Sequence, residues 1–210
     1  MKLDLSGLVG ENIIPIAIAD DLLDSMEQYH IDTPLRAAHF LAQAKEESQN
    51  FTHSEENLHY SAARLKAVFP RLFPSDDVAN HYAMNPEMTG NRIYANKNGN
   101  ADEISGDGYK FRGRGDFELT GRDNYHEFSQ TLPSGIVLTD TPELVATTYA
   151  HASAAWFFDK HGLNVIADQG GDDPTKASHD ITIKVNGGLL GWDVRLANFK
   201  QILPLIKIIP

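Results

Sequence analysis

Cysteine is absent from this chain of 210 residues. That excludes disulfide staples, thiolate metal sites and a cysteine nucleophile together. No apolar run approaches the roughly 20 residues that a membrane-spanning helix needs, so no stable membrane association is expected. Basic residues are scarce: 18 Lys and Arg against 29 Asp and Glu leave a net charge of −11. This excludes the basic footprint of a nucleic-acid binder. It also removes any long-range attraction to anionic polymers, so a grip on an acidic substrate would have to be local. The N-terminal stretch carries one lysine and sets Asp4 and Glu11 among its apolar residues. It lacks the clean apolar core and small-residue cleavage site of a secretory signal, and a protein made in the cytoplasm is expected. The nine histidines show no His-Glu-x-x-His spacing, and residues 96–102 lack the bidentate glutamate and fixed glycine of a calcium loop. Neither a metal nor a cofactor is expected.

What remains reads as a mainly helical protein of one domain, with a small lobe or insertion over roughly residues 70–112 and no separate binding module. Apolar residues recur with a helical period over Pro15–Tyr29. Thr33-Pro34 is a helix start, because proline fits the first helical position, and that helix is expected to run to about Ser48. Shorter helices are expected over Ser61–Phe69, with Ser61 as N-cap, and over Val78–Tyr82. Asn85–Gly115 is a polar stretch rich in asparagine and glycine, too long for an idle loop in a compact domain; such stretches are functional or form a lobe of their own. A small hairpin or irregular sheet is expected around Gly113-Arg-Gly115. Further helices are expected over Arg122–Gln130, Pro142–Lys160 (the longest), Pro174–Val185 and within Gly191–Ile206.

The stretch Lys45–Ser61 holds four glutamates: Glu46, Glu47, Glu55 and Glu56. Phe40, Gln43 and Ala44 share a helix face with Glu47, which places Glu47 at the end of a largely apolar stripe. Burial raises a carboxyl pKa, as a general acid near neutral pH requires. Glu56 follows in a more polar loop, where it can stay ionised. Two carboxyls in unlike surroundings are the arrangement of glycoside hydrolysis. The competing view is that glutamates at a helix end are a solvated face, and the stretch alone does not decide.

Six segments together do more. Phe40-Leu-Ala-Gln-Ala-Lys-Glu-Glu-Ser, Glu56-Asn-Leu-His-Tyr-Ser, Asn91-Arg-Ile-Tyr-Ala, Ser105-Gly-Asp-Gly-Tyr-Lys-Phe-Arg-Gly-Arg-Gly, Leu119-Thr-Gly-Arg-Asp-Asn-Tyr and Ile183-Lys-Val-Asn-Gly-Gly occur in this order. The set resembles the family 19 glycoside hydrolases, and within them the short lysozyme-like members found as phage endolysins. The resemblance implies a lysozyme-like fold with a cleft between two lobes, and inverting hydrolysis of a β-1,4 bond beside an N-acetylated sugar. It matches Glu47 to the general acid, Glu56 to the general base, and Thr120 to the hydroxyl that holds the attacking water. It matches Tyr125, Asn186 and Arg195 to residues of the cleft, and puts Glu118 where the family often has a substrate-binding glutamine. Tyr94 and Arg114 are further candidates for substrate contact. Lys110, Arg112, Arg114 and Arg122 form a basic strip, suited either to peptidoglycan stem carboxylates or to nearby acids. Inversion needs about 6.5–9.5 Å between the carboxyls. The nine-position spacing of Glu47 and Glu56 permits this without fixing it, since such a segment extends to roughly 30 Å.

Two departures stand out: Glu46 where the family often has histidine, and Glu118 for glutamine. The expected partner is a peptidoglycan glycan strand, cut by a monomer in the periplasm. A holin-type release factor or a secretion system would supply the route. A chitinase of the same family is the alternative. An inactive glycan-binding protein is the alternative of another class, opposed by the presence of both carboxyls and the threonine.

Overall fold

A computed structural model describes residues 2–171 and 173–210. In chain order the elements are β1 (Lys2–Asp4), α1 (Ser6–Gly10), α2 (Ala19–Gln28), α3 (Pro34–Glu47), α4 (Ala62–Val68), α5 (Asp76–Tyr82), α6 (Pro86–Tyr94), α7 (Asp107–Lys110), α8 (Arg122–Ser129), α9 (Ala150–Lys160), α10 (Leu163–Gln169), α11 (Pro174–Asn186), α12 (Trp192–Ile202) and β2 (Lys207–Ile209). The chain divides into two units. One comprises residues 1–54, 115–117 and 149–210, the other residues 55–114 and 118–148.

The first unit is built around α3. Thr33 caps it by accepting a hydrogen bond from the Arg36 N–H, and Pro34 occupies its first turn. Residues 37–44 are all buried, so this helix is enclosed on every side, as its alanine-rich sequence allows. It packs against α9, α10, α11 and α12. Phe40 meets Phe158 edge-on at 5.6 Å, and His39 stacks on Phe199 at 4.0 Å. Burial pushes the His39 imidazole down to about 4, which keeps it neutral in this apolar setting. The antiparallel pairing of β1 with β2 ties the two ends of the chain together.

The second unit packs Leu58, Leu65, Phe73, Ala79, Tyr82 and Ile93 at its centre. Ser61 and Ser75 cap α4 and α5 through their hydroxyls. The unit contains a close helix crossing: a Cβ on Gly108 of α7 would lie 2.5 Å from the Gly90 carbonyl oxygen and 2.6 Å from the Asn91 Cα. Only glycine lets α7 approach α6 this closely.

Two expectations are refined. The polar stretch over residues 85–115 is not loop throughout, since α6 and α7 lie within it. Asn85 is an N-cap whose side chain accepts from the Met88 N–H, with Pro86 in the first turn. The long helix over Pro142–Lys160 is interrupted: a 3₁₀ turn covers Pro142–Val145, and α9 begins only at Ala150. Around Gly113-Arg-Gly115 the expected hairpin or irregular sheet takes the irregular form, with isolated antiparallel bridges of Glu55 with Arg114 and of Arg114 with Leu119.

Candidate active site

The sequence candidates fall into two groups, one in each unit. In the first unit Glu47 is the last residue of α3. The chain then turns through three consecutive left-handed residues, Gln49, Asn50 and Phe51, with φ of 52°, 61° and 60°. Such a conformation costs energy for non-glycine residues, and Ser48 holds it. Its hydroxyl donates to the Ala44 carbonyl at 2.6 Å and accepts from the Phe51 N–H at 2.8 Å.

Glu47 Oε1 accepts a hydrogen bond from Arg195 Nη2 at 2.9 Å, while Oε2 has no hydrogen-bond partner among the described residues. The Arg195 side chain is 4% exposed and that of Glu47 19%. Arg195 also donates from Nη1 to Gln43 Oε1 at 2.7 Å. The structure therefore makes Arg195 a buried partner of the carboxyl, not a residue open to substrate. Asn186 ends α11 and is half-buried; its amide reaches the Leu190 carbonyl at 3.4 Å. Glu46 is directed elsewhere. Its Oε1 lies 3.0 Å from the position a Cβ on Gly191 would take, at the N-terminus of α12, where negative charge is favourable.

In the second unit Glu56 is the centre. Its Oε1 accepts from the Gly113 N–H at 2.6 Å and its Oε2 from the Tyr94 hydroxyl at 2.7 Å. Burial raises its pKa, against the opposing effects of the Tyr94 and Gly113 hydrogen bonds and the Arg114 charge. Burial and the adjacent Glu56 carboxylate in turn raise the pKa of Tyr94, which keeps that phenol a donor. Thr120 Oγ1 would stand 3.3 Å, and Glu118 Cβ 3.0 Å, from a Cβ on Gly113. Glycine therefore lets the Glu118–Thr120 segment close against the backbone that holds Glu56. Glu118 is exposed and left-handed, with φ of 50°; its carbonyl accepts from the Thr120 hydroxyl at 2.7 Å.

The expected polar, readily ionised setting of Glu56 is thus corrected, since burial raises its pKa. Glu47 faces a buried guanidinium. Two further candidates for substrate contact, Tyr125 and Arg114, are buried. Tyr125 is fully buried; its hydroxyl donates to the Arg112 carbonyl at 2.7 Å and accepts from Arg114 Nη1 at 3.0 Å. Burial pushes that hydroxyl up to about 12. Arg114 is 3% exposed and also donates to the Lys110 carbonyl. Both hold the loop that presents Gly113. Within the basic strip Arg112 pairs with Glu55 and Arg122 with Asp107 at 3.1 Å, so local acids occupy these cations. The reading from sequence missed Gly113, whose contribution is a backbone N–H. It also gave no role to Gln43, although Gln43 shares the Glu47 face of α3.

Solved structures that this chain resembles include chitinases. Chitinase C from Streptomyces griseus HUT6037 matches 96% of this chain and 75% of its own, with a TM-score of 0.57 at 16% identity. A bacterial family 19 chitinase matches 96% and 93%, with a TM-score of 0.57 at 17% identity. Likeness at this identity defines the fold, a mainly helical, lysozyme-like one. No protein-family model matches the chain. A glycosyl hydrolase family 19 domain-containing protein of Haemophilus influenzae is 37% identical over 171 residues, covering 80% of this chain and 79% of the relative. The chain belongs to glycosyl hydrolase family 19 and is a glycoside hydrolase.

Proposed function

We propose that this chain is a single catalytic domain that cuts the glycan strand of peptidoglycan with inversion, as an endolysin serving host-cell lysis. The observation that carries the mechanism is the setting of Glu56. Both of its oxygens accept hydrogen bonds, the pattern of a carboxylate, and burial raises its basicity. A base with a raised pKa removes a proton from water more readily near neutral pH. Glu47 donates its proton from Oε2 to the glycosidic oxygen as the bond from C1 to that oxygen breaks. Glu56 takes a proton from water as the hydroxyl joins C1. Thr120, beside Gly113, orients that water, and Asn186 and Glu118 contact the sugars. The enzyme works as a monomer in the periplasm, reached through a holin-type membrane lesion.

The likeness of the motif set to the lysozyme-like members of the family supports peptidoglycan as substrate. Chitin is the second reading, favoured by the chitinases that share the fold. Digestion of purified sacculi and of chitin oligomers in parallel separates the two. Soluble muropeptides from sacculi are expected. Release of sugars from chitin oligomers with none from sacculi would reverse the assignment.

A further inference from the structure

A line of buried polar groups leads to Glu47, and its direction is fixed at the far end. The Thr182 hydroxyl donates to the Ser178 carbonyl at 2.7 Å within α11. Its single proton is then engaged, so Thr182 Oγ1 can only accept from Gln43 Nε2, 3.1 Å away. This orients the Gln43 amide with its oxygen on the opposite side, where it accepts from Arg195 Nη1 at 2.7 Å. Nη2 of the same planar guanidinium donates to Glu47 Oε1 at 2.9 Å. The reversed amide would set its NH₂ against the guanidinium, donor against donor. Gln43, Thr182 and Arg195 are 1%, 0% and 3% exposed, so water does not compete for these bonds and each one holds its geometry strongly.

We propose that Gln43 and Thr182 are positioning residues of the reaction: through Arg195 they hold one oxygen of Glu47 and keep the other available to the glycosidic oxygen. The inference rests on the reading of Glu47 as the general acid. Neither residue touches substrate. Both act by choosing the orientation of an amide one helical turn before Glu47. Thr182→Val keeps the shape of the side chain but removes the acceptor that fixes the amide. Gln43→Met removes the amide itself.

The test uses whichever of purified sacculi or chitin oligomers the wild type cleaves, and reads kcat, KM and their pH profiles with thermal melts alongside. In Thr182→Val we expect kcat to fall roughly tenfold, within the range for a misplaced catalytic group, with KM unchanged. The acidic limb, set by Glu56, stays in place. Thr182→Ser restores the wild-type rate, and Gln43→Met behaves as Thr182→Val does. A uniform loss at every pH that follows a lower melting temperature would mean a structural role only and overturn the proposal, as would failure of Thr182→Ser to restore the rate. Glu47→Gln separates the two levels. If that variant stays fully active, the acid assignment falls and this inference with it. If it is inactive while Thr182→Val and Gln43→Met keep wild-type profiles, this inference alone falls.

Discussion

Glu56 pairs two opposed effects on one side chain. Two donors hold it as a carboxylate, and burial makes that charge costly. Its folded pKa lies above its ordinary value, so the folded state binds the proton more tightly than the unfolded chain does. Its contribution to stability is therefore fully present below the unfolded carboxyl pKa and is lost as pH rises through the raised folded value. Glu56→Gln should melt higher than wild type at neutral pH while losing activity, and the gain should vanish at acid pH. A lower melting temperature at neutral pH would contradict this. Tyr94→Phe removes a hydrogen bond that lowers the Glu56 pKa, so the acidic limb of the pH–rate profile should move to higher pH; an unmoved limb would sink the role given to Tyr94. Both glutamates could be proposed from the sequence, because acid–base chemistry needs carboxyls and the motifs mark these two. Their surroundings were not. The partners of Glu56 lie 38 and 57 positions away, and that of Glu47 lies 148 away, beyond the reach of any local pattern.

The helices that could be read from sequence were those with local start signals. Thr33-Pro34 and Ser61 mark α3 and α4 as expected. Asn85-Pro86 carries the same kind of signal for α6, but the surrounding asparagines and glycines read as loop. The apolar stripe over residues 142–160 looked continuous. Thr147 and Thr148 sit where the helix fails, and the Thr147 hydroxyl lies 3.3 Å from the Glu143 carbonyl, a local bond that competes with helix continuation. The pairing of β1 with β2 joins segments at opposite ends of the chain, which no periodicity reveals. The crossing of α6 and α7 yields a prediction at this scale. Gly108→Ala places a methyl group against the Gly90 carbonyl and should destabilise the protein by about 1–3 kcal/mol, the usual cost of overpacking. Denaturant melts measure this, and a change within error of zero would show that the crossing can open without cost.

For the molecule as a whole, membership of glycosyl hydrolase family 19 rests on a relative that spans most of both chains, and the fold agrees with it. Without cysteine, the structure is held by packing, caps and buried polar pairs. One such pair anchors the short segment 115–117 to the first unit. There Asp116 meets His151 Nδ1 at 2.6 Å, and Gly115 N donates to the Ser54 carbonyl at 2.8 Å. Burial disfavours the charged imidazole, but the hydrogen bond and charge of Asp116, with Asp21 nearby, outweigh it and raise the His151 pKa. The central claim is that this framework uses Glu47 and Glu56 to hydrolyse a peptidoglycan glycan strand. Mass spectrometry of sacculi digested by wild type, Glu47→Gln and Glu56→Gln tests it most directly. The account predicts new sugar reducing ends from the wild type and a loss of about 10²–10⁴-fold in their formation in either variant. Full cleavage by either variant, or wild-type digestion that leaves the glycan strand intact, would contradict it.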